Sequence, residues 1–112
     1  MKGVKINRKL IADNLEAPLD YKELKKAATI LRAINHPLRQ RMMEIINTEE
    51  EVNVTKLYVE LRLEQSVASQ HLAILRKDKF VKTYRKGKYI YYEINHERMD
   101  RINELIKEIN NY

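Results

Sequence analysis

The chain has 112 residues, 44% of them apolar, and carries a formal net charge of +6 at neutral pH. That length suits one domain with a real core, and the composition excludes charge-driven disorder. Zero cysteines exclude disulfides, thiolate metal sites and iron–sulfur clusters; no run approaches the roughly 18 apolar residues of a membrane helix; and no apolar signal core follows Met1-Lys2-Gly3-Val4-Lys5, so the expected location is cytoplasmic.

The charge is localised. Residues 52–92 hold nine basic and three acidic residues, an excess of +6, while the flanking segments carry +2 and −2. A concentrated basic field attracts polyanions, and suggests a phosphate-backbone partner.

Residues 1–19 alternate basic and apolar positions without a period and close on Ala17-Pro18-Leu19, so they read as an arm or short helix. Residues 20–112 read as a single domain. Asp20 and Glu23 have the spacing of a capping box, in which each side chain satisfies an orphan amide at a helix start. The helix they open carries Leu24, Ala27, Ala28, Leu31 and Ile34 on one stripe and runs to about Asn35. His36-Pro37 breaks it, leaving His36 at a helix end, and Pro37 suits the first turn of a second helix with Leu38, Met42, Ile45 and Ile46 as its apolar stripe.

Glu49-Glu50-Glu51 is a polar link. Asn53 caps a short third helix with Val54, Leu57, Tyr58 and Leu61, and Arg62-Leu63-Glu64 makes a tight turn. A fourth helix runs from about Gln65 to Lys77. Ala68, Leu72 and Leu75 face the core from it, while Ser66, Ser69, Gln70 and Ala73 lie opposite. From Phe80 to Ile94 the chain turns rich in Val, Ile, Thr, Tyr and Phe, interrupted by Arg85-Lys86-Gly87-Lys88. That pattern is a β-hairpin with a basic tip, and β-propensity with cross-strand packing accounts for Tyr84, Tyr89, Tyr91 and Tyr92. Asn95 caps a last helix with Met99, Ile102, Ile106 and Ile109 on one side and Leu105 beside them.

Short helices joined by a tight turn, then a hairpin with three cations at its tip, predict a winged helix-turn-helix. The fold class is mainly α with a β-hairpin, about five helices plus a two-stranded wing. The major groove admits a helix whose outward side chains are short enough to approach base edges. On that reading Gln65, Ser66, Ser69 and Gln70 of helix 65–77 read bases, and Val67 touches a thymine methyl. Arg85, Lys86 and Lys88 of wing 84–89 hold the backbone, giving affinity and salt dependence but little sequence reading. No Gly-rich phosphate loop, Ser/His/Asp spacing or paired carboxylates in an apolar setting appear, so an enzyme is not expected, nor is a cofactor.

Three stretches resemble the ArsR-type (ArsR/SmtB) winged-helix repressors. Leu31 through Arg41 is similar to the family's opening helix pair. Leu63 through Arg76 is similar to its recognition helix, with the Ser-x-His-Leu-x-x-Leu core intact as Ser69, His71, Leu72 and Leu75. Phe80 through Tyr92 is similar to its wing. The resemblance spans roughly residues 20–110. It implies a homodimeric repressor that leaves its operator when an effector binds, and a phosphate contact or structural hydrogen bond for His71. Resemblance and pattern agree that Leu24, Ala28 and Leu31 of the first helix join Met99, Ile102, Ile106 and Ile109 of the last in the dimer interface. Two recognition helices then lie about one DNA turn, ~34 Å, apart, which predicts a near-palindromic double-stranded operator.

The sequence departs from the family at four places. Asn53 and Thr55 stand where its arsenic and cadmium sensors carry Cys-x-Cys, and Asn95, Glu97, Glu108 and Asn111 are nearest to its zinc ligands. Glu64 replaces the usual Ser cap of the recognition helix, and Lys79 replaces a glycine after it. No metal is expected; His96 with Asp100, four residues on, is the one pair worth testing. Two other readings compete with the specific DNA-binding regulator: a winged helix used only for protein–protein contacts, and a metal-responsive family member with a non-standard site.

Overall fold

The computed structural model describes residues 21–110, with the side chains of Glu23 and residues 108–110 left aside. The expected arm at 1–19, the Asp20 half of the capping box and the Ile109 side chain lie outside the described residues. The elements run α1 (Tyr21–Ile34), α2 (Pro37–Thr48), α3 (Val54–Glu60), α4 (Gln65–Lys77), β1 (Val81–Lys86), β2 (Tyr89–Ile94) and α5 (His96–Asn110). Five helices and one antiparallel hairpin match the expected winged helix-turn-helix.

Local chemistry sets most of the boundaries. His36 is the extended N-cap of α2, its Nδ1 accepting the Leu38 N–H at 3.1 Å, with Pro37 in the first turn. Asn53 Oδ1 accepts the Lys56 N–H at 2.9 Å to open α3, and Asn95 Oδ1 accepts the Arg98 N–H at 3.2 Å at the start of α5. Glu64 occupies the N-cap position of α4 but makes no side-chain capping bond.

The two helices of the turn motif end alike. After α3 the Leu63 N–H bonds to the Tyr58 carbonyl at 2.9 Å and the Arg62 N–H to that of Val59 at 3.3 Å. After α4 the Phe80 N–H bonds to Leu75 at 2.9 Å and the Lys79 N–H to Arg76 at 3.0 Å. Each is a Schellman motif, which needs a left-handed residue after the helix. Arg62 (φ 55°) and Lys79 (φ 63°) fill that position, where glycine is the residue without steric penalty. Lys79 thus takes the left-handed conformation that a glycine at the matching family position adopts freely; the equivalent Arg62 carries no family signal in the sequence.

β1 and β2 pair from Val81↔Ile94 to Lys86↔Tyr89 around a two-residue loop in which Gly87 has φ 65°. Glycine at the first position of such a loop matches the hairpin's own twist. Val52 adds a one-residue third rung, its carbonyl accepting the Tyr92 N–H at 2.8 Å.

The core gathers Met42, Ile45 and Ile46 of α2, Leu57 of α3, Ala68, Leu72 and Leu75 of α4, Val52, Phe80, and Val81 and Ile94 at the base of the wing. No polar residue is buried among the described ones. One expectation changes here. Ile102, placed on the interface stripe of α5, is only 4% exposed within a single chain and belongs to this core. Helical periodicity identifies the apolar side of α5 but not what covers it. Met99 and Ile106 also pack against the core while remaining half-buried, whereas Leu24 is 55% exposed. No described helix is long and apolar enough to cross a membrane.

Candidate nucleic-acid interface

α4 is held from behind by Ala68, Leu72 and Leu75, each no more than 1% exposed, and it packs on α1, α2 and α3. That anchoring turns Gln65, Ser66, Ser69, Gln70 and Ala73 outward together. All are short or neutral, so base edges can approach without displacing a long charged side chain. Val67 is half-buried at the edge of this face.

His71 packs against the start of α2. Its ring lies 4.9 Å from that of His36 at 54°, and its Nδ1 is buried without a hydrogen-bond partner among the described residues. Burial and the adjoining His36 and Arg39 push its pKa below the ordinary value of 6.5, so the neutral ring is favoured.

Beside Ser69, a groove of about 500 Å³ runs between Val54 of α3, the outer side of α4 and Tyr92 of β2. Arg76 and Lys77 line it along with Ser69 and Ala73. Arg76 was not among the expected contact residues. Its spacing from Ser69 and Ala73, seven and three residues, puts it on the same helical face, so periodicity alone could have found it.

In the wing, Arg85, Lys86, Gly87 and Lys88 are all exposed. Cross-strand pairing sets Tyr84 against Tyr91 with ring centroids 5.5 Å apart, while Lys88 Nζ lies 5.4 Å from the Tyr89 ring centroid. Lys86 is engaged: its ammonium donates to the Glu51 carboxylate, which raises its pKa. Glu51 has a left-handed φ of 52° and immediately precedes the Val52 rung, so the α2–α3 link braces the hairpin from the side. Any phosphate that takes Lys86 must compete with Glu51.

The positions of the family's metal ligands do not fit a metal in this chain. Asn53 spends its side-chain oxygen on the α3 cap, Thr55 is an exposed hydroxyl, and neither is a thiolate. His96 and Asp100 are both exposed, and among the described residues no group of three or more His, Cys, Asp or Glu comes together.

No protein-family model matches the chain. Individual relatives do. The transcriptional repressor PagR of Bacillus anthracis is 34% identical over 91 residues, covering 81% of this chain and 91% of that protein. An arsenical resistance operon repressor of Staphylococcus xylosus is 29% identical over 92 residues, covering 82% and 85%. Among solved structures, NolR of Sinorhizobium fredii superposes with a TM-score of 0.66 at 33% identity, over 82% of this chain and 94% of that one. The chain belongs to the ArsR-type winged-helix transcriptional regulators. It is therefore a DNA-binding regulator and not an enzyme. An ArsR-like regulator of Rhodococcus, at 15% identity and a TM-score of 0.69, shares the fold.

Proposed function

We propose that this ArsR-type regulator is a homodimeric repressor that sets α4 in the major groove of a near-palindromic operator. Gln65, Ser66, Ser69 and Gln70 read bases, Val67 meets a thymine methyl, and Arg85 and Lys88 hold the backbone. Lys86 joins them once released from Glu51, and Arg76 contacts phosphate at the groove beside Ser69. The observation that carries this reading is the joint outward presentation of four short polar side chains on α4 next to a basic wing. Repressors among the relatives support the regulatory sign, against one named transcriptional activator.

The second copy covers α1 and α5. Leu24 and Leu105 are exposed there, at 55% and 38%, and a groove between the helices is lined by Ala27, Leu31 and Leu105. Ala28, Leu31, Met99 and Ile106 supply the remaining contact, while Ile102 supports it from the core.

Fluorescence anisotropy on the chain's own upstream DNA and on a scrambled duplex, across roughly 50–300 mM salt, tests the proposal. The expected result is a preference for the native fragment that survives physiological salt, with one dimer per site. Equal weak binding to both duplexes, vanishing with salt, would leave only a basic surface and favour a protein–protein role.

A further inference from the structure

A second concentration of positive charge lies away from the reading face. α1 contributes Lys22, Lys25 and Lys26, the C-terminal end of α4 contributes Lys77 with Lys79 just beyond it, and α5 contributes Arg98. Together they line one open cleft of about 470 Å³, in which Asp78 is the sole acid among the described lining residues. A cavity of this size accommodates a small ligand.

Two observations separate this cleft from an ordinary solvated charge run. Lys25, Lys77, Lys79 and Arg98 come from three elements distant in sequence, so folding brings these like charges together, a cost that a bound polyanion offsets. Arg98 is half-buried, and its Nε donates to the Asp78 carbonyl at 3.3 Å. That bond orients the guanidinium, whose planar fork of donors suits phosphate oxygens.

We propose that the cleft is an effector site for a small, multiply charged oxyanion of the phosphate class. The cleft adjoins the C-terminal end of the reading face, because Lys77 also lines the groove beside Ser69, but Lys25 and Arg98 lie on α1 and α5, off the reading helix. The cleft also shares Lys26, Ile30 and Arg98 with the groove between α1 and α5. An anion bridging Lys25, Lys79 and Arg98 draws the end of α4 toward both helices of the proposed dimer interface. Binding of the anion stands independently of the DNA reading; its coupling to DNA rests on that reading.

The test is isothermal titration of the full chain with inorganic tripolyphosphate at about 150 mM salt, then of Lys79→Gly and Arg98→Gln. Lys79→Gly removes a charge while relieving the left-handed backbone, so a folding defect does not explain its effect. The expected outcome is one saturable site per chain, weakened about tenfold or more in each variant. No saturable binding, or binding unchanged in both variants, overturns the proposal.

The second arm is the operator anisotropy assay. Tripolyphosphate is expected to change operator affinity in the unmodified chain and much less in Lys79→Gly, whose affinity without the anion stays within about twofold. Equal displacement from both proteins means competition at the reading face and overturns the effector role. A Lys79→Gly loss of DNA affinity without anion assigns the cleft to the DNA surface and overturns it too. If the unmodified chain shows no specific operator binding, the proposed function fails while the calorimetric result stands on its own.

Discussion

α4 and the wing, which the proposed function sets on one duplex, are anchored by different physics. α4 is fixed by three fully buried apolar side chains and by contacts to α1, α2 and α3. The wing is fixed the same way only at its base, where Val81 and Ile94 are buried. Toward its tip it relies on tyrosine contacts, the single Val52 rung and the exposed Lys86–Glu51 pair. Apolar burial is not screened by salt, whereas an exposed ion pair is. On the proposed reading, the helix that reads sequence is held by the unscreened force, and the wing tip that supplies affinity by the screened one.

Five measurements would break or sharpen that contrast. Leu72→Ala should cost ~2–5 kcal/mol in urea unfolding, because it opens a cavity under α4; a loss below about 1 kcal/mol would mean that the core does not fix the helix. Gln70→Ala or Ser69→Ala should cost ~1–3 kcal/mol on the specific site only, with non-specific binding unchanged. Lys88→Ala should weaken all duplexes alike and lower the salt slope by about one. Lys86→Ala should lower it by less, since its phosphate contact is gained at the expense of Glu51. Glu51→Gln should correspondingly tighten binding to any DNA and steepen the slope; a change of base preference in either variant would show that the wing reads sequence.

The smallest expected effect is a pH dependence in how α4 meets α2. His71 resists protonation in the folded chain, held there by burial, His36 and Arg39. The unfolded chain takes up that proton near the ordinary value of 6.5, so His71's contribution is fully present above that pH and is lost as pH falls below it. Chemical denaturation at pH 7.5 and pH 5.5 should show this loss, and His71→Gln should flatten it. An unchanged pH profile in the variant would place the titration elsewhere.

What could be read in the sequence, and what could not, follows the range of the interactions. Pro37, Asn53, Asn95 and Gly87 act on their immediate neighbours, so the starts of α2, α3 and α5 and the turn of the hairpin were visible as short-range chemistry. The buried side of α4 was visible because one residue per turn must be apolar. The Glu51–Lys86 pair spans 35 positions, and the Val52–Tyr92 rung and His36–His71 contact likewise join distant segments. No local pattern announces any of them. Ile102 went astray for a related reason: an apolar stripe states that something covers it, and here the chain's own core does.

The junction between α4 and the wing has a mechanical consequence. Only Asp78, Lys79 and Phe80 separate the two elements; the fully buried Phe80 is tied back to Leu75 and forward to Asn95, both through 2.9 Å backbone hydrogen bonds. That short, tied connection couples helix and hairpin through Phe80. A strand of six residues reaches about 20 Å, so a 5° rotation at the pivot sweeps the tip by ~2 Å. Hydrogen bonds to phosphate tolerate only a few tenths of an ångström. On the proposed reading, a tilt of a few degrees at this junction is enough to lift the wing tip off its phosphates.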